Sequence, residues 1–143
     1  MKKTDKSKKN ICLAKIERSY IPPFDFSFTG ICNNSSPNFP QKIAEEGHLK
    51  KDEELLCFTF INEEIWTLLT TRRIISKEGP SPDEHSFDGI VKWDFGDFKG
   101  YSKQFYTKGF IFFEDDEVIS IFIETGRASM IMINAIMTLD QIE

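Results

Sequence analysis

Between Leu55 and Ile123 short apolar runs alternate with charged or turn-forming residues, and after Gly126 the apolar period lengthens to that of a helix. This order, several antiparallel strands and then one amphipathic helix, leaves few architectures. Leu55 to Ile61 and Ile65 to Thr70 flank the turn Asn62-Glu63-Glu64, which predicts a hairpin. A tight turn from Thr70 to Arg73 leads into Arg73-Ile74-Ile75-Ser76, and Gly79-Pro80-Ser81-Pro82-Asp83 predicts a loop in which no sheet continues. Val91, Trp93 and Phe95 alternate with polar residues, and Phe105 to Phe113 and Val118 to Ile123 enclose the acidic tip Glu114-Asp115-Asp116-Glu117. Gly96, Gly100 and Gly109 read as bends in curved strands. The fold class expected is α+β, mainly β: a strongly bent antiparallel sheet or partial barrel capped by a C-terminal amphipathic helix.

The helical segment Arg127 to Glu143 sorts into two apolar faces. Ala128, Ile131, Met132, Ala135, Ile136, Leu139 and Ile142 form the broad stripe that faces the sheet. Met130, Ile133 and Met137 project from nearly the opposite side. This second stripe is either a self-association or partner interface, or it is covered by the N-terminal segment with its Phe24, Phe26 and Phe28. Thr125 is placed to cap the helix and Gly126 to break the preceding strand.

Ahead of the strands, residues 1–10 are expected to be a disordered Lys-rich tail. Residues 11–48 read as an N-terminal extension with a short helix near 39–46, and 49–143 as the domain proper. The chain has 143 residues and a net charge of −5, but Lys2, Lys3, Lys6, Lys8 and Lys9 lie in the first nine residues against Asp5 alone. The remaining 13 basic and 22 acidic residues leave a body of −9, which disfavours a general nucleic-acid surface. The start lacks the apolar core of a secretory signal. Cys12, Cys32 and Cys57 have neither disulfide nor zinc-knuckle spacing, so reduced thiols in the cytoplasm are expected.

The run Ile65-Trp66-Thr67-Leu68-Leu69-Thr70-Thr71-Arg72-Arg73-Ile74-Ile75 resembles the strand, Thr-x-x-Arg turn and strand of bacterial pleckstrin-homology-like (PH-like) domains. Phe110 to Phe113, the tip Glu114 to Glu117, Val118 to Ile123 and the last helix resemble the closing hairpin and capping helix of that family. The resemblance covers about Leu49 to Glu143 and implies a fold more than a function. In the family turn, the Thr70 hydroxyl can satisfy backbone groups and Arg73 can reach a neighbouring carboxylate or carbonyl, a structural use. Lipid-binding members of the wider superfamily hold phosphoinositide with cations in and beside the first hairpin, whereas Glu63 and Glu64 in the equivalent turn repel a polyphosphate.

Only His48 and His85 are available for histidine chemistry, no nucleotide or nucleophile-elbow motif occurs, and no metal or cofactor is implied. The leading expectation is a non-enzymatic binding or scaffolding module that engages a protein partner or a second copy of itself. One alternative is an acidic inhibitor or immunity-type protein with a contiguous surface of Glu63, Glu64, Glu114, Asp115, Asp116 and Glu117. Another is weak peripheral contact with an anionic membrane through the Lys-rich tail.

Overall fold

The computed structural model describes residues 3–19, 26–32 and 45–142. Helix α1 (Asp5–Ser19) is followed by β1 (Thr29–Ile31), β2 (Leu55–Asn62), β3 (Ile65–Thr70), β4 (Arg73–Glu78) and β5 (Pro82–Ser86). Then come β6 (Ile90–Asp94), β7 (Tyr106–Phe113), β8 (Val118–Glu124), a 3-10 turn (Gly126–Ala128) and helix α2 (Ser129–Ile142). The class is α+β and mainly β. Two antiparallel sheets replace the single bent sheet expected: β1-β2-β3-β4-β5 and β6-β7-β8, with no closed barrel among the described residues. Pro82 and Asp83 correct the expectation that no sheet continues through residues 79–83: they open the edge strand β5, and a proline is tolerated as the first residue of such a strand.

The main core lies between the inner face of the five-stranded sheet, the three-stranded sheet and α2. Leu69 and Ile74 meet Ile111, Ile121 and Ile123 there, with Ile131, Ala135, Ile136 and Leu139 from the helix. The inner face also carries a cross-strand row of hydroxyls, Thr29, Thr59, Thr67 and Ser76, each in register with the next. Thr67 Oγ1 lies 2.8 Å from Ser76 Oγ and accepts the Phe122 N–H at 2.7 Å. A side-chain bond thus ties the outer edge of β8 to β3 where no shared ladder exists. The opposite face of the large sheet carries a second cluster of Phe58, Trp66, Leu68 and Ile75 with Cys32. Gly47 faces it, since a Cβ built there would fall 3.2 Å from Ile75 and 3.6 Å from Leu68, and Lys77 pairs with Glu46 at 2.8 Å.

Helix α1 corrects the expectation of a tail. Its Asp5-to-Asn10 turns occupy most of the segment read as disordered. Thr4 is the reason it starts there: its Oγ1 accepts the Ser7 N–H at 3.1 Å, and Asp5 sits in the first turn, where negative charge suits the helix dipole. Cys12 and Ile16, four residues apart, enter the main core, so α1 is a layer of the same domain rather than a separate extension. The short helix expected near 39–46 lies mostly outside the described residues, of which 45–47 are helical. Phe24 lies outside them as well, and Phe26 packs on the main core.

Gly109 is not a bend but a close approach. A Cβ built there falls 2.5 Å from the Asp94 carbonyl oxygen on β6. Gly109→Ala is therefore expected to cost about 1–3 kcal/mol, as overpacking does, read from the urea midpoint of the variant against the native chain.

Candidate functional site

The Thr70–Arg73 turn is a buried polar node. Thr70 Oγ1 accepts the backbone N–H groups of Arg72 (3.1 Å) and Arg73 (3.0 Å) and donates to Glu53 Oε2 at 2.6 Å. Arg73 grips the same carboxylate with two nitrogens, Nε to Oε2 at 2.8 Å and Nη2 to Oε1 at 2.9 Å. Its Nη2 also donates to the carbonyls of Gly47 and His48, and its Nη1 pairs with Glu84 on β5. Burial would raise the Glu53 carboxyl, but the Arg73 guanidinium and the Lys50 and Thr70 donors hold it below the ordinary carboxylate value. Beside the node, Asp5 of α1 binds Arg72 through Nη2 at 2.8 Å and accepts the Thr71 hydroxyl at 2.5 Å. The bond to Arg72 keeps the Asp5 carboxyl low. The turn thus joins α1, residues 47–54 and β4, and the guanidinium of Arg73 is fully occupied by this chain. Glu53, inside the charged run Lys50-Lys51-Asp52-Glu53-Glu54, was not singled out in the sequence, and only its distance of three residues from Lys50 N is local.

The two acidic clusters are not contiguous, which corrects the surface expected of an inhibitor. The 62–64 turn closes β2 and β3 beside Glu78, since Ile65 pairs with Glu78, and Glu78 holds Lys108 at the start of β7. The tip closes the far end of β7, six residues on, or about 20 Å of strand rise. Asp115 is there bound to His85 Nε2 at 2.9 Å. Glu63 and Glu64 therefore sit at one end and Glu114, Asp115, Asp116 and Glu117 at the other.

His85 lies flat on Phe113, with ring centroids 3.5 Å apart. Its Nδ1 is 2.6 Å from the Ser86 carbonyl and its Nε2 is 2.9 Å from Asp115, so both nitrogens meet acceptors, an arrangement that favours the protonated ring. Burial pulls its pKa down, yet the Ser86 carbonyl and the Asp115 carboxylate leave it above the ordinary histidine value. A raised folded value means that this stabilisation is full below the unfolded value of about 6.5 and is lost as pH rises through the folded one. An NMR titration should place the native His85 midpoint above that reference, and Asp115→Asn should lower it; an identical midpoint in the two proteins would contradict the assignment.

The α2 stripe is also rearranged. Ile133 is only 5% exposed and Met137 packs partly on the core, while Met130 remains 37% exposed. The three do not form one open stripe, because α1 packs along α2 and brings Cys12 and Ile16 into the same core. Thr125 does not cap the helix by side chain; its hydroxyl donates to the Gln104 carbonyl at 2.6 Å. The three thiols are buried, and burial pushes those of Cys12 and Cys32 up to about 12. No group of three or more metal-binding side chains occurs among the described residues.

The β6–β7 connection presents what the sequence reading missed. Tyr101 and Phe105 are 80% and 76% exposed, the largest values among the big apolar side chains that stand exposed in the described residues. The loop beneath them is fixed. Asp97 Oδ1 accepts the Tyr101 N–H, Asp97 Oδ2 accepts the Ser102 N–H and hydroxyl, and the Gly100 N–H donates to the Asp97 carbonyl. Those donors, the Ser102 hydroxyl first, hold the Asp97 carboxyl below its ordinary value. Gly96, at φ +62°, turns the chain where a side chain would meet the Lys108 carbonyl. Phe95 and Phe98 point inward, edge to face at 6.5 Å, and anchor the loop from below. Thr125 and Gly126 clamp its ends through the carbonyls of Phe105 and Phe98. The chain matches no family model, no curated protein and no solved structure.

Proposed function

We propose that the chain is a non-enzymatic binding module of PH-like fold that engages protein rather than phosphoinositide. The observation that carries the reading is the pair Tyr101 and Phe105, held out to solvent on a loop whose backbone is already fixed. Large rings displayed this way bury much area on a partner while losing little conformational entropy. The order of elements supports the PH-like part: antiparallel meanders closed by a C-terminal helix, with the Thr-x-x-Arg turn at the β3–β4 corner. Arg73 is consumed by Glu53, Glu84 and two carbonyls, and the 62–64 turn carries carboxylates, which disfavours a polyphosphate ligand. The groups from which catalysis would have been built are engaged otherwise: His85 between two acceptors, the thiols buried and protonated.

The test is photo-crosslinking in cells, with p-benzoylphenylalanine replacing Tyr101 and, as a control, the exposed Glu117. Protein adducts from position 101 and not from 117 are expected. Adducts equal at both positions, or at neither, contradict a protein-binding surface on this loop. Vesicles containing phosphoinositide should not retain the native chain.

A further inference from the structure

Resting on that reading, we infer that the β6–β7 loop is a docking surface for an acidic protein segment that carries an apolar or aromatic side chain between its carboxylates. Tyr101 and Phe105 supply the apolar contact, and on the same loop Lys99 precedes Tyr101 while Lys103 lies between the two rings in sequence. Neither lysine has a carboxylate within ion-pair distance among the described residues, whereas Lys108 is held by Glu78 and Lys9 by Glu54. The one carboxylate inside the loop, Asp97, is turned onto the Tyr101 and Ser102 N–H groups and the Ser102 hydroxyl. The loop is thus a local cationic site with exposed rings in a chain of net charge −5.

That charge distribution selects the occupant. An anionic bilayer is an extended plane and would bring the acidic body within the roughly 8 Å over which charges act at physiological salt. A protein segment touches the loop alone and gains the attraction of the lysines without that repulsion. A bound segment would set its apolar side chain against the two rings and its carboxylates on the Lys99 and Lys103 ammonium groups. Because the loop is already ordered, the entropy of fixing it is not charged to binding.

The experiment selects a phage library of random dodecapeptides on the full chain alone. Enriched peptides should combine two or more carboxylates with an apolar or aromatic residue. Synthesised, they should bind the native chain at least about tenfold more tightly than either Tyr101→Ala/Phe105→Ala or Lys99→Gln/Lys103→Gln. Raising salt should weaken them. Enriched peptides that lack carboxylates, or that bind both variants as well as the native chain, overturn the inference but leave a protein-binding module standing at another surface. An absence of enrichment overturns the inference, and the crosslinking experiment then decides the broader reading separately. Two further arms give it to other occupants: sedimentation of the native chain, but not the double-Ala variant, with phosphatidylserine vesicles makes the surface a membrane contact. A doubled solution mass that the same variant abolishes makes it a self-association surface.

Discussion

Arg73→Met is expected to destabilise the domain by about 3–5 kcal/mol, the cost of leaving a buried charge without its partner. Glu53, with a side chain that is 0% exposed, would keep its carboxylate in the same place while losing both guanidinium bonds. The effect should depend on pH in a definite direction. In the native chain the Glu53 carboxyl is held low, so its stabilising contribution is present above the unfolded value of about 4.3 and is lost as pH falls through the lower folded value. In the variant the raising effect of burial is no longer opposed by the guanidinium, so the carboxyl moves up and takes its proton at a higher pH than in the native chain. The gap between the two proteins is therefore widest at neutral pH and narrows on acidification. Urea unfolding at two pH values measures it, and Glu53→Gln in the Arg73→Met background should recover part of the loss. A gap below about 1 kcal/mol at neutral pH would mean that the node is not what joins the β3–β4 corner to residues 47–54.

Ile133→Ala is expected to cost about 2–5 kcal/mol and Met130→Ala less than about 0.5 kcal/mol, although the two residues belong to one stripe in the sequence. The first empties a site inside the main core; the second trims a side chain that stands partly in water. Thermal unfolding of the two variants separates these cases. Equal and small losses would show that α1 does not cover α2, and would return the stripe to the solvent-facing role its spacing suggested.

The strands were legible because period-2 alternation is written in neighbours: Leu55 to Thr70 and Phe110 to Ile123 fold as hairpins at the turns their residues predict. The last helix was legible by the same kind of local pattern. Helix α1 was not, because its lysines dominate the composition and few of its residues reach the core, Cys12 and Ile16 buried and Leu13 partly so; the Thr4 cap and the Asp5 beside it were the signals available. Glu53 could not be told from its four charged neighbours, since its burial is decided by an arginine twenty residues away. Ile65 to Thr70 read as a strand, but nothing local said that Trp66 and Leu68 would be covered on the face opposite Leu69. The exposed loop escaped for the converse reason. Phe105 continues the apolar run into β7 in the sequence, but the strand begins at Tyr106, and Thr125 holds the Phe105 backbone while its ring faces water.

The claim that the fixed β6–β7 loop is where this domain engages protein is tested most directly by one paired measurement on Tyr101→Ala/Phe105→Ala: melting temperature, and calorimetric affinity for a selected acidic peptide. A melting temperature within about 2 °C of the native value is expected, because both rings are exposed. With it an affinity at least about tenfold weaker is expected. An unchanged affinity at an unchanged melting temperature would contradict the claim.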